Sequence, residues 1–172
     1  MTTRRLWVPV LTALLAMALV GGGVAAADVE PRAVRTITIP AGDFSVIDDS
    51  YTFHNNGFNL WSDSGSAAFA APLFFEPGVV TIQKMVLFAY DNGGSSVCIY
   101  LLRTTPGNGS EQEMGEVCSS GASTTDPQSF TSTYFAPAQV NSAWYGPYLW
   151  LYQPGSNADG YKFNGVRITY SY

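Results

Sequence analysis

The strongest chemical signal in the chain is Trp144-Tyr145-Gly146-Pro147-Tyr148-Leu149-Trp150-Leu151-Tyr152. From Tyr148 the residues alternate. In a strand, Tyr148, Trp150 and Tyr152 leave by one face, and Leu149 and Leu151 by the other. Side chains at i and i+2 stand about 6.6–6.8 Å apart. A row of such rings, apolar in body and polar at the tip, offers a stacking surface for sugar rings. One of the two faces must join a core. Core is the commoner fate of such aromatics and is the first expectation; a platform requires the leucines to turn inward instead. Trp61 and Tyr161 are the residues that could extend a platform.

Other constellations are weaker. His54 is the single histidine, so any Ser/His/Asp arrangement has to use it. No G-x-S-x-G elbow occurs, and the nearest segment, Ser62-Asp63-Ser64-Gly65-Ser66, lacks the first glycine. With Asn55-Asn56-Gly57 following, His54 reads as a surface or turn residue. Asp43, Asp48, Asp49, Asp91, Asp126 and Asp159 lie beside turn signals, where Asp serves the local backbone. Glu76 precedes Pro77-Gly78, and Glu116 falls between the two cysteines. No carboxylate pair stands out for glycoside hydrolysis, and no catalytic residue is assigned. Two cysteines and one histidine exclude Cys/His metal clusters. No cofactor is expected. A structural calcium assembled from distant loop oxygens is the remaining metal alternative.

Cys98 and Cys118 allow one pairing, and an oxidising compartment would close it. Val97 to Arg103 and Met114 to Ser119 read as strands around Pro106-Gly107-Asn108-Gly109. A hairpin centred on Asn108 puts Cys98 opposite Cys118, Tyr100 opposite Glu116 and Leu102 opposite Met114. Paired Cβ atoms then lie about 4.5–5.5 Å apart, close to the spacing a disulfide needs. Closing that loop stabilises by about 3 kcal/mol in the chain-entropy picture.

The compartment is legible in residues 1–27. Arg4 and Arg5 precede an apolar run from Leu6 to Val20, and Ala25-Ala26-Ala27 supplies small residues before Asp28. This is the layout of a cleaved secretory signal peptide, with the general route as the first expectation and the twin-arginine route, through Arg4-Arg5, as the alternative. No later stretch is apolar for long enough to cross a bilayer as a helix, so the expected product is soluble and secreted. Export leaves thirteen acids against Arg32, Arg35, Lys84, Arg103, Lys162 and Arg167. That balance argues against a nucleic-acid partner.

Residues 28–35 read as a flexible leader and 36–172 as one domain. Strand signals follow at Thr36–Ile39, Phe44–Ile47, Tyr51–His54, Phe58–Trp61, Val79–Tyr90, Val97–Arg103, Met114–Ser119, Ser129–Phe135, Pro147–Gln153 and Phe163–Tyr172. Gly, Pro, Asn and Asp punctuate them. In the longest run, Ile82 and Met85 can share a face only across a bulge. At the C-terminal end, Val166, Ile168, Tyr170 and Tyr172 alternate with Arg167, Thr169 and Ser171, as in a strand with one buried face. Eight to ten short strands without sustained helical spacing predict an all-β fold. A two-sheet antiparallel sandwich of jelly-roll type is expected, with a closed barrel as the alternative.

Ala71-Pro72, Glu76-Pro77-Gly78, Tyr90-Asp91-Asn92 and the closing Gly165-Val166-Arg167-Ile168-Thr169-Tyr170 resemble a group of secreted bacterial β-sandwich proteins with no assigned activity. The resemblance implies a single β-sandwich domain and carries no catalytic residue across; the cysteines lie outside it. The functional expectation is a secreted, non-catalytic module binding polysaccharide or cell-envelope material through Tyr148, Trp150 and Tyr152. A secreted glycan hydrolase and a structural or interaction protein at the cell surface are the alternatives.

Overall fold

A computed structural model describes residues 32–172, apart from 77, 121–125 and 156–159. The signal-peptide expectation for 1–27 and the start of the leader lie outside the described residues. The strands are β1 (Val34–Pro40), β2 (Ser45–Val46), β3 (Thr52–Asn55), β4 (Leu60–Ser64), β5 (Ala67–Pro72), β6 (Val79–Asp91), β7 (Cys98–Thr105), β8 (Ser110–Cys118), β9 (Gln128–Ser132), β10 (Gln139–Asn141), β11 (Gly146–Gln153) and β12 (Tyr161–Ser171). The only helical element among the described residues is a 3₁₀ turn at Ala41–Asp43. β1 begins at Val34, which pairs with Ser171, so the last two residues of the expected leader belong to the sheet.

The strands form two antiparallel sheets that do not close on each other, which removes the barrel alternative. The seven-stranded sheet is built on β6 and β12, with β9 and β10 along the free edge of β6 and β1, β4 and β3 beyond β12. The five-stranded sheet runs β2-β5-β11-β7-β8. Inner-face residues of both sheets make the core. Phe69, Ile99, Leu101, Leu149 and Leu151 come from the smaller sheet, and Leu60, Met85, Leu87, Phe163, Val166 and Ile168 from the larger; all are fully buried. Each such side chain contributes about 1.5–3 kcal/mol by leaving water.

Two bulges reconcile alternation with burial. Opposite Thr169 and Tyr170 the β6 register skips from Lys84 to Ile82, which puts both Ile82 and Met85 inside. On β12 a second shift between Phe163 and Gly165 lets Phe163 and Val166 share the core. Gly165 sits there at φ +151°, and a Cβ on it would lie 2.8 Å from the Ile39 carbonyl oxygen, so both conformation and space call for glycine.

The β7–β8 hairpin turns at Pro106–Gly109, and Cys98 faces Cys118 in a formed disulfide with Cα atoms 4.1 Å apart. Tyr100 faces Glu116 as expected. Leu102 does not face Met114. A bulge after Leu101 places it opposite Glu113 and sends Met114 into the core.

Candidate functional site

Strand β11 decides the fate of the aromatic row. Leu149 pairs with Ala71 on one side and Leu101 on the other, and Leu151 with Phe69 and Ile99. These partners are buried, so the leucines turn inward. Tyr148, Trp150 and Tyr152 are half-buried on the outer face. The expectation that they join the core is therefore overturned. The physical reason is that the interior takes aliphatic side chains in register from both sheets. An inward Trp and two Tyr would strand one indole N–H and two hydroxyls there.

Their neighbours keep the outer face flat on one flank. Tyr148, Trp150 and Tyr152 lie beside Pro72, Ala70 and Ala68 of β5. On the other flank they lie beside Leu102, Tyr100 and Cys98 of β7. The Trp150 and Tyr152 rings stand 6.4 Å apart, centroid to centroid, with planes only 22° from parallel. Tyr100 joins them at 5.3 Å from Trp150, tilted by 59°. The platform is thus Tyr100-Trp150-Tyr152, with Tyr148 at one end. Tyr100 was not among the residues singled out from sequence. Only the β7–β11 pairing brings it beside Trp150, although its place opposite a polar Glu116 already hinted at an outward direction.

Polar groups frame the rings. The Tyr152 hydroxyl and Ser66 Oγ are 2.9 Å apart. The Tyr148 hydroxyl donates to Glu111 Oε2. Burial pushes the Tyr148 phenol well above the ordinary tyrosine range, and the bond to Glu111 adds to the shift. Tyr100 is raised as well, first by burial and then by the charges of Glu116 and Glu113. Tyr100, Leu102, Trp150, Glu111 and Glu113 line a depression of about 250 Å³. A larger hollow of about 590 Å³ adjoins the end of the row, where Phe74, Tyr145 and Pro147 meet Tyr148.

The other candidates lie elsewhere. Trp61 is on the seven-stranded sheet, stacked at 5.0 Å on His54, and Tyr161 is buried, so neither extends the platform. His54 is exposed, as expected, and its Nε2 lies 2.7 Å from Asp63 Oδ2. The Trp61 indole donates to the same carboxylate at 3.1 Å. Ser62, between Trp61 and Asp63 in sequence, is buried and its hydroxyl donates to the Gly65 carbonyl at 2.7 Å. A nucleophilic triad is not assembled from these residues. Among the described residues no three His, Cys, Asp or Glu side chains cluster to hold a metal ion.

The aromatic rings on the larger sheet have partners of their own. Arg167 lies 5.2 Å from the Phe88 ring and Lys162 5.3 Å from Tyr90. Among the described residues no cation sits over Tyr100, Trp150 or Tyr152.

The architecture is similar to a solved carbohydrate-binding module. This is the C-terminal CBM6 of LamC, a marine laminarinase from Zobellia galactanivorans. The match has a TM-score of 0.51 and 14% identity over 78% of this chain and 99% of that one. A looser likeness, at TM-score 0.42 and 12% identity, is to the CBM36-1 domain of a multidomain xylanase from the hindgut metagenome of Trinervitermes trinervoides. It covers 78% of this chain and 96% of that one. The first likeness establishes the two-sheet jelly-roll fold. No protein-family model matches the chain, and no curated protein matches it.

Proposed function

We propose that this chain is a non-catalytic, extracellular polysaccharide-binding module whose contact surface is the outer face of the five-stranded sheet. The observation that carries this reading is the orientation of β11: the leucines fill the core, and Tyr148, Trp150 and Tyr152 stand outside it. A sheet face is rigid, so the rings are held before a ligand arrives and little conformational entropy is lost on binding. Tyr and Trp supply large contact area together with hydroxyl and indole groups for sugar hydroxyls. A disulfide and the absence, among the described residues, of a helix able to cross a membrane are consistent with an exported module. Insoluble cellulose, xylan, chitin and deacetylated chitin form a suitable panel. Wild type is expected to be retained on at least one of them, and a folded Trp150→Ala variant to be released. Equal retention of the two removes the proposal.

One observation favours a second reading. Glu111 and Glu113 share a depression with two rings, and a glycan hydrolase needs two carboxylates. They are neighbours on the same face of one strand, however, rather than astride a bound sugar as the two roles require. Release of new reducing ends from a soluble glycan, abolished by Glu113→Gln, would establish the hydrolase.

A further inference from the structure

Among the described residues the cations of this molecule are kept away from the ring platform. Glu111, Glu113 and Glu116 are exposed on β8, the edge strand beside the ring platform. Arg35, Lys84, Lys162 and Arg167 all belong to strands of the seven-stranded sheet, and Arg32 donates to Thr81 of the same sheet at 3.3 Å. Arg103 is on β7 but shares its face with the inward residues Ile99 and Leu101. Its guanidinium is held by Gln112 Oε1 at 2.8 Å, the Gln139 carbonyl at 3.0 Å and the Tyr145 ring at 4.0 Å. Among the described residues the platform face therefore carries carboxylates and no cation.

We propose that the depression lined by Tyr100, Leu102, Trp150, Glu111 and Glu113 selects glycans bearing a free primary amine, of the polyglucosamine class, over neutral, N-acetylated or anionic ones. The inference rests on the platform reading above and names the sugar chemistry it would take. An ammonium group is attracted to ring faces, Trp above Tyr. It also donates charge-assisted hydrogen bonds to carboxylates, which are stronger than those a neutral hydroxyl makes. Both partners line one depression here. The Tyr148 hydroxyl holds Glu111 from the side, which sets that carboxylate in place before a ligand arrives. A polyuronate or a phosphate-bearing polymer meets three like charges on the same approach. A neutral sugar could stack on the rings but leaves the carboxylates without a charged partner.

The test is calorimetric titration of the full exported domain with hexamers of glucosamine, N-acetylglucosamine and glucose. It is run near pH 6, in about 20 mM salt, where charge–charge terms are least screened. Wild type is expected to bind the glucosamine hexamer about tenfold more tightly than either neutral hexamer, an advantage of about 1.4 kcal/mol. Glu113→Gln and Glu111→Gln, each with an unchanged melting temperature, are expected to cut that preference, read as the ratio of glucosamine-hexamer to glucose-hexamer affinity, about threefold or more. Raising the salt to about 0.5 M is expected to erode the preference in wild type. Equal affinity of wild type for all three hexamers, or a preference unaltered in both Gln variants, overturns the inference. In that outcome the platform reading survives if Trp150→Ala still weakens binding of the glucose hexamer. Failure of every hexamer to bind wild type overturns the inference, and the platform reading is then decided by the retention of wild type and Trp150→Ala on the insoluble panel. Indifference of every bound hexamer to Trp150→Ala refutes both.

Discussion

Adjacent residues on β11 should separate binding from folding. Trp150→Ala removes an outward ring whose contacts with Tyr100 and Tyr152 are 5.3 and 6.4 Å between centroids. Each ring pair contributes about 0.5–1.5 kcal/mol beyond its area. The expected stability cost is therefore about 1–3 kcal/mol, a fall in Tm of about 3–11 °C for a domain of this size. For a bound glycan the same truncation takes away the central ring of the platform. Central aromatic anchors typically cost 2 kcal/mol or more when cut to Ala, so affinity should drop about 30-fold. Leu151→Ala, one residue on, leaves the outer face untouched. Leu151 is fully buried against Phe69 and Ile99, so its truncation opens a core cavity and costs about 2–5 kcal/mol. Tm should fall by about 6–18 °C. Binding by the folded fraction should stay within about twofold of wild type. Calorimetric titration with a retained glycan, paired with thermal melts, reads both quantities. Loss of binding in Leu151→Ala with full binding in Trp150→Ala would refute the assignment of faces.

Three further outcomes follow from the same structure. Replacing Cys98 and Cys118 together by Ser removes a link spanning 20 residues of sequence, and should cost about 3 kcal/mol. The thermal midpoint should drop about 10 °C, and a drop of less than about 2 °C would deny the bridge a role in stability. Gly165→Ala places a Cβ 2.8 Å from the Ile39 carbonyl at a left-handed φ, so it should destabilise by about 1–3 kcal/mol in a denaturant melt, and an unchanged midpoint would contradict the bulge. Tyr100 and Tyr148 should ionise above the ordinary tyrosine range in a spectrophotometric titration, with that late fraction reduced in Tyr148→Phe. Their folded-state values lie above the unfolded value of about 10. Their contribution to stability is thus complete below that pH and lost as pH rises through the folded values. A single transition near the unfolded value would count against the packing around these rings.

Much of the architecture was readable before any coordinates. The alternation in β11 and β12, the hairpin between Cys98 and Cys118, and the bulge demanded by Ile82 and Met85 all follow from the two-residue period of a strand and from turn chemistry. Two strands were not readable. β5, Ala67–Pro72, is mostly alanine and ends in proline, residues with weak strand preference, and it forms because β11 and β2 bracket it. β10 is three residues long and exists only as a partner for the start of β6. The Leu102–Met114 pairing failed because a bulge after Leu101 depends on Met114 entering the core, which the local pattern of the hairpin does not reveal.

For the candidate site, the sequence by itself determined that Tyr148, Trp150 and Tyr152 share one face and that Leu149 and Leu151 share the other. It could not determine which face meets the core, because period-two alternation is symmetric under exchange of inside and outside. That choice belonged to the neighbouring strands, whose buried Phe69, Ile99 and Leu101 lie in register with the leucines and draw them inward. Strand order also supplied what no local pattern contains: Tyr100 beside Trp150, and the β8 glutamates along the border of the platform. These residues are distant in sequence and meet only because the hydrogen-bonded ladders of the smaller sheet place their strands side by side.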